Sequence, residues 1–351
     1  MTLAVNLAQG ASNNVTFRNK LINGAMVIDQ RNAGASLAIT TNAQYSVDRF
    51  AGSVYSSGTG RYSLQQSTTV PAGFTNSLKM TVTTADASPT ADYGYALQQS
   101  IEGLNCTDLN WGSANASTVT LSFWVYSSVT GNLPVVLLNS GFTRYYATTY
   151  SVASANTWTK ISLTIVGDTS GTWLTTNGGG IYINFGFGAG SNRTASTANA
   201  WSTSAYGGNL TSVTGATSVI ATNGATWYVT GVQLEVGTVA SSFEYRPYGL
   251  ELSLCQRYFE KFGINQRQFW TSNGQMTTKP YSYKATKRAT PTVTISNAYT
   301  TDGWTSYTVE AHNTPSGAYD PTNILGISAT SSGSSNTIAQ LACNITSDAE
   351  L

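Results

Sequence analysis

The side chains best suited to ligand contact in this chain of 351 residues are aromatic, with 8 Trp and 20 Tyr. Trp173, Trp201 and Tyr206 lie in long stretches rich in Ser, Thr, Asn and Gly, and loops often carry binding residues. Trp124 and Tyr126 lie in a predicted strand, on the face opposite its aliphatic residues. Aromatic rings beside amides and hydroxyls suit the apolar face and the hydroxyl groups of a sugar. These five residues are therefore candidates for glycan contact, with ordinary packing as the alternative for each.

Groups for nucleophilic or metal-dependent catalysis are scarce. His312 is the only histidine, and no Gly-x-Ser-x-Gly segment accompanies it, so a Ser–His–acid hydrolase is not expected. Cys106, Cys255 and Cys343 are far apart and odd in number, which predicts buried apolar side chains rather than a disulfide framework. So few His and Cys residues argue against a zinc site. We expect no catalytic residue and no cofactor.

Glycoside hydrolysis is the catalytic alternative, because it needs only two carboxylates about 5 to 10 Å apart. The candidates are Asp29, Asp48, Asp168, Glu235 and Glu244. Asp48 precedes Arg49, and Glu244 lies two residues before Arg246, so both are predicted to form ion pairs that fix turns. An adjacent arginine lowers the pKa of a carboxyl group and disfavours its use as a general acid. The prediction is therefore that the chain is not an enzyme.

Charge and composition limit the classes of partner. The chain has 17 basic and 16 acidic residues without a basic block, so binding to nucleic acid is not expected. Only 9% of residues are charged, against about 25% in ordinary soluble domains, while 41% are hydrophobic. This hydrophobic content argues against disorder. The first 20 residues lack the pattern of a secretory signal, and no stretch approaches the roughly 20 apolar residues of a membrane span.

Hydrophobic alternation predicts an all-β region over residues 21–248. Val119, Leu121, Phe123 and Val125 alternate with polar and aromatic residues, which places them on one face of a strand. Inward stripes are also predicted at Ile161, Leu163 and Ile165, and at Ile181, Ile183, Phe185 and Phe187. Such strands, separated by Gly-, Asn- and Ser-rich turns, indicate a two-sheet sandwich. Trp158 and Trp227, in regular strands, are predicted to lie in its core.

The flanking regions have different patterns. Residues 1–20 are predicted to form an arm, which either docks on a neighbour or is a free terminus. Over residues 249–262, apolar side chains four apart predict a short linking helix, with Glu251 near its start and Lys261 near its end. Residues 263–351 are predicted to form a second, smaller β domain. Its strands include Pro291–Ser296 and Trp304–Val309, and Ser328–Asn336 is predicted to be a loop.

Several segments occur in an order that is similar to a family of bacteriophage tail-fibre or minor structural virion proteins. They are Asn23–Arg31, Tyr45–Phe50, Ser117–Gly131, Thr157–Trp173, Gly224–Phe262 and the terminal Ser347–Leu351. The resemblance implies a non-enzymatic part of the virus particle, near the host-facing end of the tail. It also implies assembly in the bacterial cytoplasm, contacts with other virion tail proteins and a homotrimer.

The β-rich region resembles, more narrowly, the jelly rolls of carbohydrate-binding modules. In those modules an Asn-Gly segment near the first strand pairs near the last strand, and Asn23-Gly24 and Trp227–Val232 occupy the corresponding places. The modules often hold a structural calcium there. Here Ala25 and Thr230-Gly231 replace the usual carboxylates, and only Asp29 and Glu235 are close in sequence. Because calcium takes six to eight oxygen ligands, we expect no metal at this position.

Three hypotheses about function follow. The first is a tail fibre that takes part in attachment by recognising host cell-surface polysaccharide. The second is a purely architectural component attached to the head or tail of the particle. The third is a tail spike that degrades polysaccharide.

Overall fold

A computed structural model describes residues 17–269, 275–277, 281–301, 304–312, 322–333 and 338–351. The chain divides into two compact units, the first ending at Arg246 and the second beginning at Pro247. Residues 1–16 of the predicted arm lie outside the described residues. None of the described helices is long and apolar enough to span a membrane.

The described part of the first unit contains two large antiparallel sheets, a two-stranded parallel sheet and three short 3-10 helices. Its strands are β1 (Leu37–Ile39), β2 (Gln44–Tyr45), β3 (Phe50–Tyr55), β4 (Arg61–Ser67), β5 (Ser77–Thr84), β6 (Gly94–Glu102), β7 (Val119–Ser127), β8 (Gly131–Asn139), β9 (Arg144–Val152), β10 (Thr159–Ile165), β11 (Gly179–Ala189), β12 (Thr194–Ala195), β13 (Trp201–Thr203), β14 (Ser212–Val213) and β15 (Thr226–Val236). The 3-10 helices span Gly103–Asn105, Thr107–Leu109 and Ser191–Arg193.

The strand order is that of a jelly-roll sandwich. One sheet has the order β1-β4-β5-β15-β7-β10 and the other β13-β9-β8-β11-β6-β3-β2, while β12 and β14 form a separate parallel pair. From β3 to β15 the chain crosses repeatedly between the two main sheets, and their inner faces share one hydrophobic core. The predicted fold class, a β-sandwich with a short helix and a smaller β domain, is confirmed.

The core contains most of the hydrophobic residues that were predicted to face inward. The four stripe residues of β7, from Val119 to Val125, are at most 1% exposed, as are the four of β11, from Ile181 to Phe187. Trp227 is fully buried, and its indole N–H donates to the Tyr150 hydroxyl at 3.0 Å, as the core prediction requires. Trp158 departs from its prediction, since it is only half-buried. Its ring contacts Tyr126 and Tyr228, which point away from the core.

The Asn23-Gly24 segment meets the last strand, as the resemblance to carbohydrate-binding modules implies. The Val232 N–H donates to the Gly24 carbonyl at 2.9 Å, and a Cβ at Gly24 would lie only 2.1 Å from the Val232 carbonyl oxygen. The Asn19 amide fills the same junction by donating to Val232 O and accepting from the Leu234 N–H, each at 3.0 Å. Glycine is therefore required at position 24 by close backbone approach.

The second unit begins with α1 (Tyr248–Gln256). Its strands are β16 (Phe259–Phe269), β17 (Gln275–Thr277), β18 (Tyr281–Ser282), β19 (Thr292–Thr301), β20 (Trp304–His312), β21 (Ile324–Gly333) and β22 (Ile338–Asp348). β22 pairs with β16 and β19, and β21 pairs with β17, β18 and β20. The side chains of Cys106, Cys255 and Cys343 are buried, as predicted.

Two sequence-based boundaries differ from the structure. The helix ends at Gln256 rather than at residue 262, because Phe259–Phe269 pairs along its length with β22 and buries Ile264 against Ile345. The spacing of Leu250 was misleading, since that side chain is 37% exposed and not part of a buried stripe. The predicted loop at 328–336 is also wrong at its start, because β21 extends to Gly333; residues 334–336 lie outside the described residues.

Candidate functional site

The outer face of the six-stranded sheet carries a set of outward side chains in register. Tyr228 of β15 lies opposite Lys79 of β5 and Tyr126 of β7. Two residues before Tyr126 on β7, Trp124 lies opposite Thr230 of β15 and Lys160 of β10. Because these residues alternate with buried core residues, they face away from the sandwich interior. Their strands thus present rings and lysines together.

Residues 237–245, hereafter the covering segment, cross one half of this outer face. Hydrogen bonds along its length hold the segment on the sheet. They include Thr120 Oγ1 to Gly237 O (2.8 Å), Thr164 Oγ1 to Thr238 O (2.9 Å), Ser241 N to Glu235 Oε1 (2.8 Å) and Glu244 N to Gln233 Oε1 (2.8 Å). The other half, which includes Trp124, Tyr126 and Tyr228, is not crossed by this segment. The side chains at the boundary between the two halves form a cleft.

This cleft, hereafter the Trp124 cleft, has a volume of about 240 Å³. It is lined by Phe74, Ser122, Phe123, Trp124, Lys160, Gly231, Ser241, Ser242, Phe243 and Tyr245. Three of its rings pack on one another, with centroid distances of 5.3 Å for Phe74–Phe243, 5.6 Å for Phe74–Tyr245 and 4.9 Å for Phe243–Tyr245. The Tyr245 hydroxyl donates to Gly73 O at 2.8 Å, which fixes a ring that is 59% exposed.

A bulge in β15 shapes the cleft. The pairing of β15 with β7 shifts between Thr230 and Gln233, and Gly231 within the bulge has φ +63°. A Cβ at this position would lie 2.6 Å from Phe74 Cζ and 3.3 Å from Trp124 Cδ1. Both the backbone conformation and the two rings therefore favour glycine.

Successive side chains of residues 243–246 point in alternate directions, so two rings face the cleft and two charged residues form an ion pair away from it. Phe243 and Tyr245 line the cleft, whereas the Glu244 carboxylate accepts the backbone N–H groups of residues 17, 18 and 19 at 2.8 to 3.1 Å. Burial opposes ionisation of Glu244, but these donors and Arg246, at 3.2 Å, outweigh it and lower its pKa. The predicted Glu244–Arg246 ion pair is confirmed, and it anchors the end of the covering segment.

Next to the cleft lies a second group of rings, hereafter the aromatic row: Tyr126, Trp158 and Tyr228. The ring centroids of Tyr126 and Trp158 are 5.6 Å apart, and those of Tyr126 and Tyr228 are 5.1 Å apart. The Lys79 ammonium lies 5.8 Å from the centroid of Tyr228, within the range of a cation–π contact. Because Trp124 and Tyr126 are alternate residues of one strand, the cleft and the row are about 7 Å apart.

Trp173 and Trp201, both predicted to lie in loops, meet Trp111 at a different place. The prediction is wrong for Trp201, which belongs to β13 and pairs with Tyr146 of β9. The centroid distances are 4.8 Å for Trp111–Trp173, 5.2 Å for Trp111–Trp201 and 5.3 Å for Trp173–Trp201. All three indole N–H groups donate to nearby backbone carbonyls: Trp111 to Ser117 (2.8 Å), Trp173 to Ser170 (3.2 Å) and Trp201 to Val166 (2.6 Å). We call this set the tryptophan cluster. Its donors are already used within the protein, which favours packing over binding.

The ring of Tyr206 packs against neither the aromatic row nor the tryptophan cluster among the described residues. Its hydroxyl donates to Asp92 Oδ1 at 3.0 Å, and the Arg193 guanidinium lies 5.2 Å from its ring centroid. Hydrogen bonds from Asn192 and Tyr206 lower the pKa of Asp92. Tyr206 also packs on a hydrophobic cluster that includes Val136 and Leu210 and covers part of the outer face of the seven-stranded sheet. The five predicted glycan-contact residues are thus spread over three places, and their role stays a prediction.

The carboxylates considered for hydrolysis are each engaged by protein groups. Asp168 binds Arg144 through two contacts of 2.6 and 2.8 Å, and Glu235 accepts from Ser241 and Gln233. Burial raises the pKa of Asp48 to about 6, but this residue is fully buried and out of reach of a polymer. Asp29 accepts the N–H groups of residues 32 and 34. Among the described residues, no group of three or more His, Cys, Asp or Glu side chains is placed to hold a metal.

The sequence interpretation missed Phe74, Phe243, Tyr245 and Lys160. The alternation Phe243-Glu244-Tyr245-Arg246 contained a usable signal, because a two-residue period places both rings on one side of an extended segment. A glycine interrupting a predicted last strand, Gly231, was a second signal, since such a residue often marks a bulge. Nothing in the sequence placed Phe74 beside them.

Comparisons with known proteins give only distant likenesses. No family model matches the sequence, and no curated protein matches it. Solved structures that match in part include the enzymatically active domain of tailspike protein 4 of bacteriophage CBA120, at 12% identity and a TM-score of 0.31, over 63% of this chain and 22% of that chain. A CBM4 structure matches at 16% identity and a TM-score of 0.29, over 61% and 98% of the two chains.

A family 11 carbohydrate-binding module of the Clostridium thermocellum cellulase Lic26A-Cel5E matches at 11% identity and a TM-score of 0.30, over 59% of this chain and 98% of that chain. TM-scores this low carry no argument about the site. The assignment of a jelly roll rests on the strand order of the chain itself.

Proposed function

We propose that this chain is a non-enzymatic component of a bacteriophage tail fibre that binds host cell-surface polysaccharide through the Trp124 cleft. The observation that carries the proposal is the composition of the cleft. Trp124 lies beside Phe74, Phe243 and Tyr245. The same cleft is lined by two exposed polar residues, Ser242 and Lys160, and by the less exposed Ser122 and Ser241.

The arrangement suits a sugar for two reasons. Pyranose rings have apolar faces that stack on aromatic rings, and their hydroxyl groups need hydrogen-bond partners of the kind that serine and lysine provide. The ring contacts and the Tyr245–Gly73 hydrogen bond hold the wall in place before a ligand arrives. A preformed wall reduces the conformational entropy lost on binding.

The aromatic row extends this surface along the sheet. A glycan chain that stacks on Trp124 and continues along β7 would next meet Tyr126, about 7 Å away. The proposed ligand is therefore a stretch of polymer rather than an isolated monosaccharide. Repeated copies of a weak site on one particle would give firm attachment. A homotrimer, contacts with other tail proteins and a host-facing position on the tail belong to this proposal.

The test uses host cells and purified protein. We expect saturable binding that blocks phage adsorption, and we expect Trp124→Ala to weaken it at least tenfold. Trp173→Ala is the matched control, because it removes a half-buried tryptophan of the same unit outside the cleft. Equal binding by Trp124→Ala and wild type, with both correctly folded, would contradict the proposal. Release of new reducing ends from host polysaccharide would instead indicate a degrading spike.

An architectural role is the second candidate, and one observation favours it. Val166, Val236 and Val239 are 57%, 51% and 78% exposed. Ile165 and Val236 are both in register with Val119, so Val166 and Val236 lie at the same end of the six-stranded sheet. Exposed apolar patches mark protein interfaces. Crosslinking from this patch to a head or tail protein in intact particles, without binding to host cells, would favour this role.

A further inference from the structure

The half of the outer face that the covering segment does not cross carries charge of one sign. On β5, β15, β7 and β10, its described outward side chains are neutral except for Lys79 and Lys160. Lys160 lines the Trp124 cleft and is exposed, while Lys79 lies over the aromatic row at Tyr228. In a chain with only 9% charged residues, two lysines beside the half-buried Trp124 and the largely buried Tyr228 are a local concentration of positive charge.

The carboxylates nearest the cleft do not offset these lysines by direct contact. Glu235 is 4% exposed and accepts hydrogen bonds from Ser241 and Gln233. Glu244 binds the N–H groups of residues 17 to 19 and Arg246. Neither forms an ion pair with Lys160 among the described residues. A ligand in the cleft thus meets a lysine that is free to contact it.

From this geometry we infer that the ligand is an acidic glycan, with carboxylate or sulfate groups on more than one sugar. The inference rests on the proposed function and adds the chemical class of the polysaccharide. β5 and β10 are separated by three strand spacings, and Lys79 is level with Tyr126 whereas Lys160 is level with Trp124. The backbones that carry the two lysines are therefore about 16 Å apart. The Lys79 ammonium lies 5.8 Å from the centroid of Tyr228, whereas Lys160 lines the cleft at Trp124. A polymer with repeated acidic groups can contact both lysines in these positions.

Exposed charges contribute modestly, which sets the expected size of the effect. Each lysine is expected to strengthen binding of an acidic glycan about three- to fivefold at low salt. The contribution falls as salt rises, because ions screen exposed charges beyond about 10 Å at 0.1 M. Stacking on Trp124 does not depend on ligand charge. The rings and the lysines can therefore be separated experimentally.

The experiment uses the full chain and a panel of acidic oligosaccharides. Each carboxylated member is paired with its carboxyl-reduced form, and each sulfated member with its desulfated form, so that the two kinds of anion are distinguished. Affinities are measured at low and at high salt for wild type, Lys160→Ala, Lys79→Ala and Lys160→Arg. Lys261→Ala is the control, since Lys261 is an exposed lysine on β16 of the second unit.

We expect tighter binding of acidic members than of their neutral partners, and a loss of about three- to fivefold in each alanine variant at low salt only. Lys160→Arg and Lys261→Ala should bind like wild type. Equal affinity for acidic and neutral partners, while Trp124→Ala removes binding of both, would overturn the charge inference alone. Undiminished binding by Trp124→Ala would overturn the proposed site itself. Failure of the folded protein to bind any member would overturn the inference of an acidic ligand.

Discussion

The Trp124 cleft and the tryptophan cluster contain similar residues in opposite situations. In the cluster, three indole N–H groups donate to backbone carbonyls, and the rings of Trp111, Trp173 and Trp201 pack on one another. In the cleft, the rings stand beside serines and an exposed lysine. The difference shows that aromatic content alone does not identify a binding surface. What distinguishes the cleft is that two polar side chains, Ser242 and Lys160, are exposed beside its rings, although the Ser241 hydroxyl is used by Glu235.

The largest expected effect is on stability in the cluster. Trp111 is 9% exposed and contacts both other rings, so Trp111→Ala should lower the free energy of unfolding by about 3 to 4 kcal/mol. Urea denaturation would measure this loss, and glycan affinity of the folded protein should not change. A loss below about 1 kcal/mol would show that the cluster is not a packed part of the core.

A smaller change at Gly231 should alter both stability and binding. Gly231→Ala forces a side chain into a positive-φ position and against Phe74, which should cost about 1 to 2 kcal/mol and reshape the cleft. Gly215→Ala is the matched control, because Gly215 has φ +83° but no atoms within 4 Å of an added Cβ. If the two variants bind glycan equally well, contact between position 231 and Phe74 does not shape the site.

The anchoring of the covering segment should depend on pH. The pKa of Glu244 is lower in the folded protein, so its stabilising contribution is present above the unfolded pKa and is lost as pH falls through the folded value. Glu244→Gln should therefore be less stable than wild type at pH 7, by at most about 1 kcal/mol, with the difference disappearing in acid. Denaturation midpoints between pH 2.5 and 7 would measure it. A difference that is constant with pH would exclude this ionisation as its cause.

The smallest effect concerns hydrogen exchange of the indole N–H groups. Those of Trp111, Trp173 and Trp201 donate to carbonyls and should exchange slowly, whereas that of Trp124 has no partner among the described residues and should exchange quickly. NMR of indole resonances would measure both the rates and the shifts on adding glycan. Ligand-induced shifts confined to the tryptophan cluster would reverse the comparison between the two regions.

Much of the fold could be predicted because its signals are local. The alternation in β7 and β11 predicted buried stripes that the structure contains, and the pairing of Gly24 with Val232 followed from the resemblance. The helix boundary was not predictable in the same way. Tyr258 and Phe262 have helical spacing with Leu250, but Tyr258 lies in the turn after the helix and the pairing of β16 with β22 decides the conformation of Phe262.

The site was harder to predict because its residues come from distant parts of the chain. Phe74 meets Phe243 and Tyr245 only after β5, β7 and β15 pair and the bulge at Gly231 makes room. Loop position favoured Trp173 and Trp201 in the sequence, yet the structure uses their indole donors internally. Only three-dimensional contacts distinguish a ring with available polar neighbours from one without them.

The most direct test of the central claim is a crystal structure of the protein with an oligosaccharide prepared from the host surface. We predict sugar rings stacked on Trp124 between Lys160 and the wall formed by Phe74, Phe243 and Tyr245, continuing toward Tyr126. Sugar bound at the tryptophan cluster, or on the seven-stranded sheet beside Tyr206, with an empty Trp124 cleft would contradict the account.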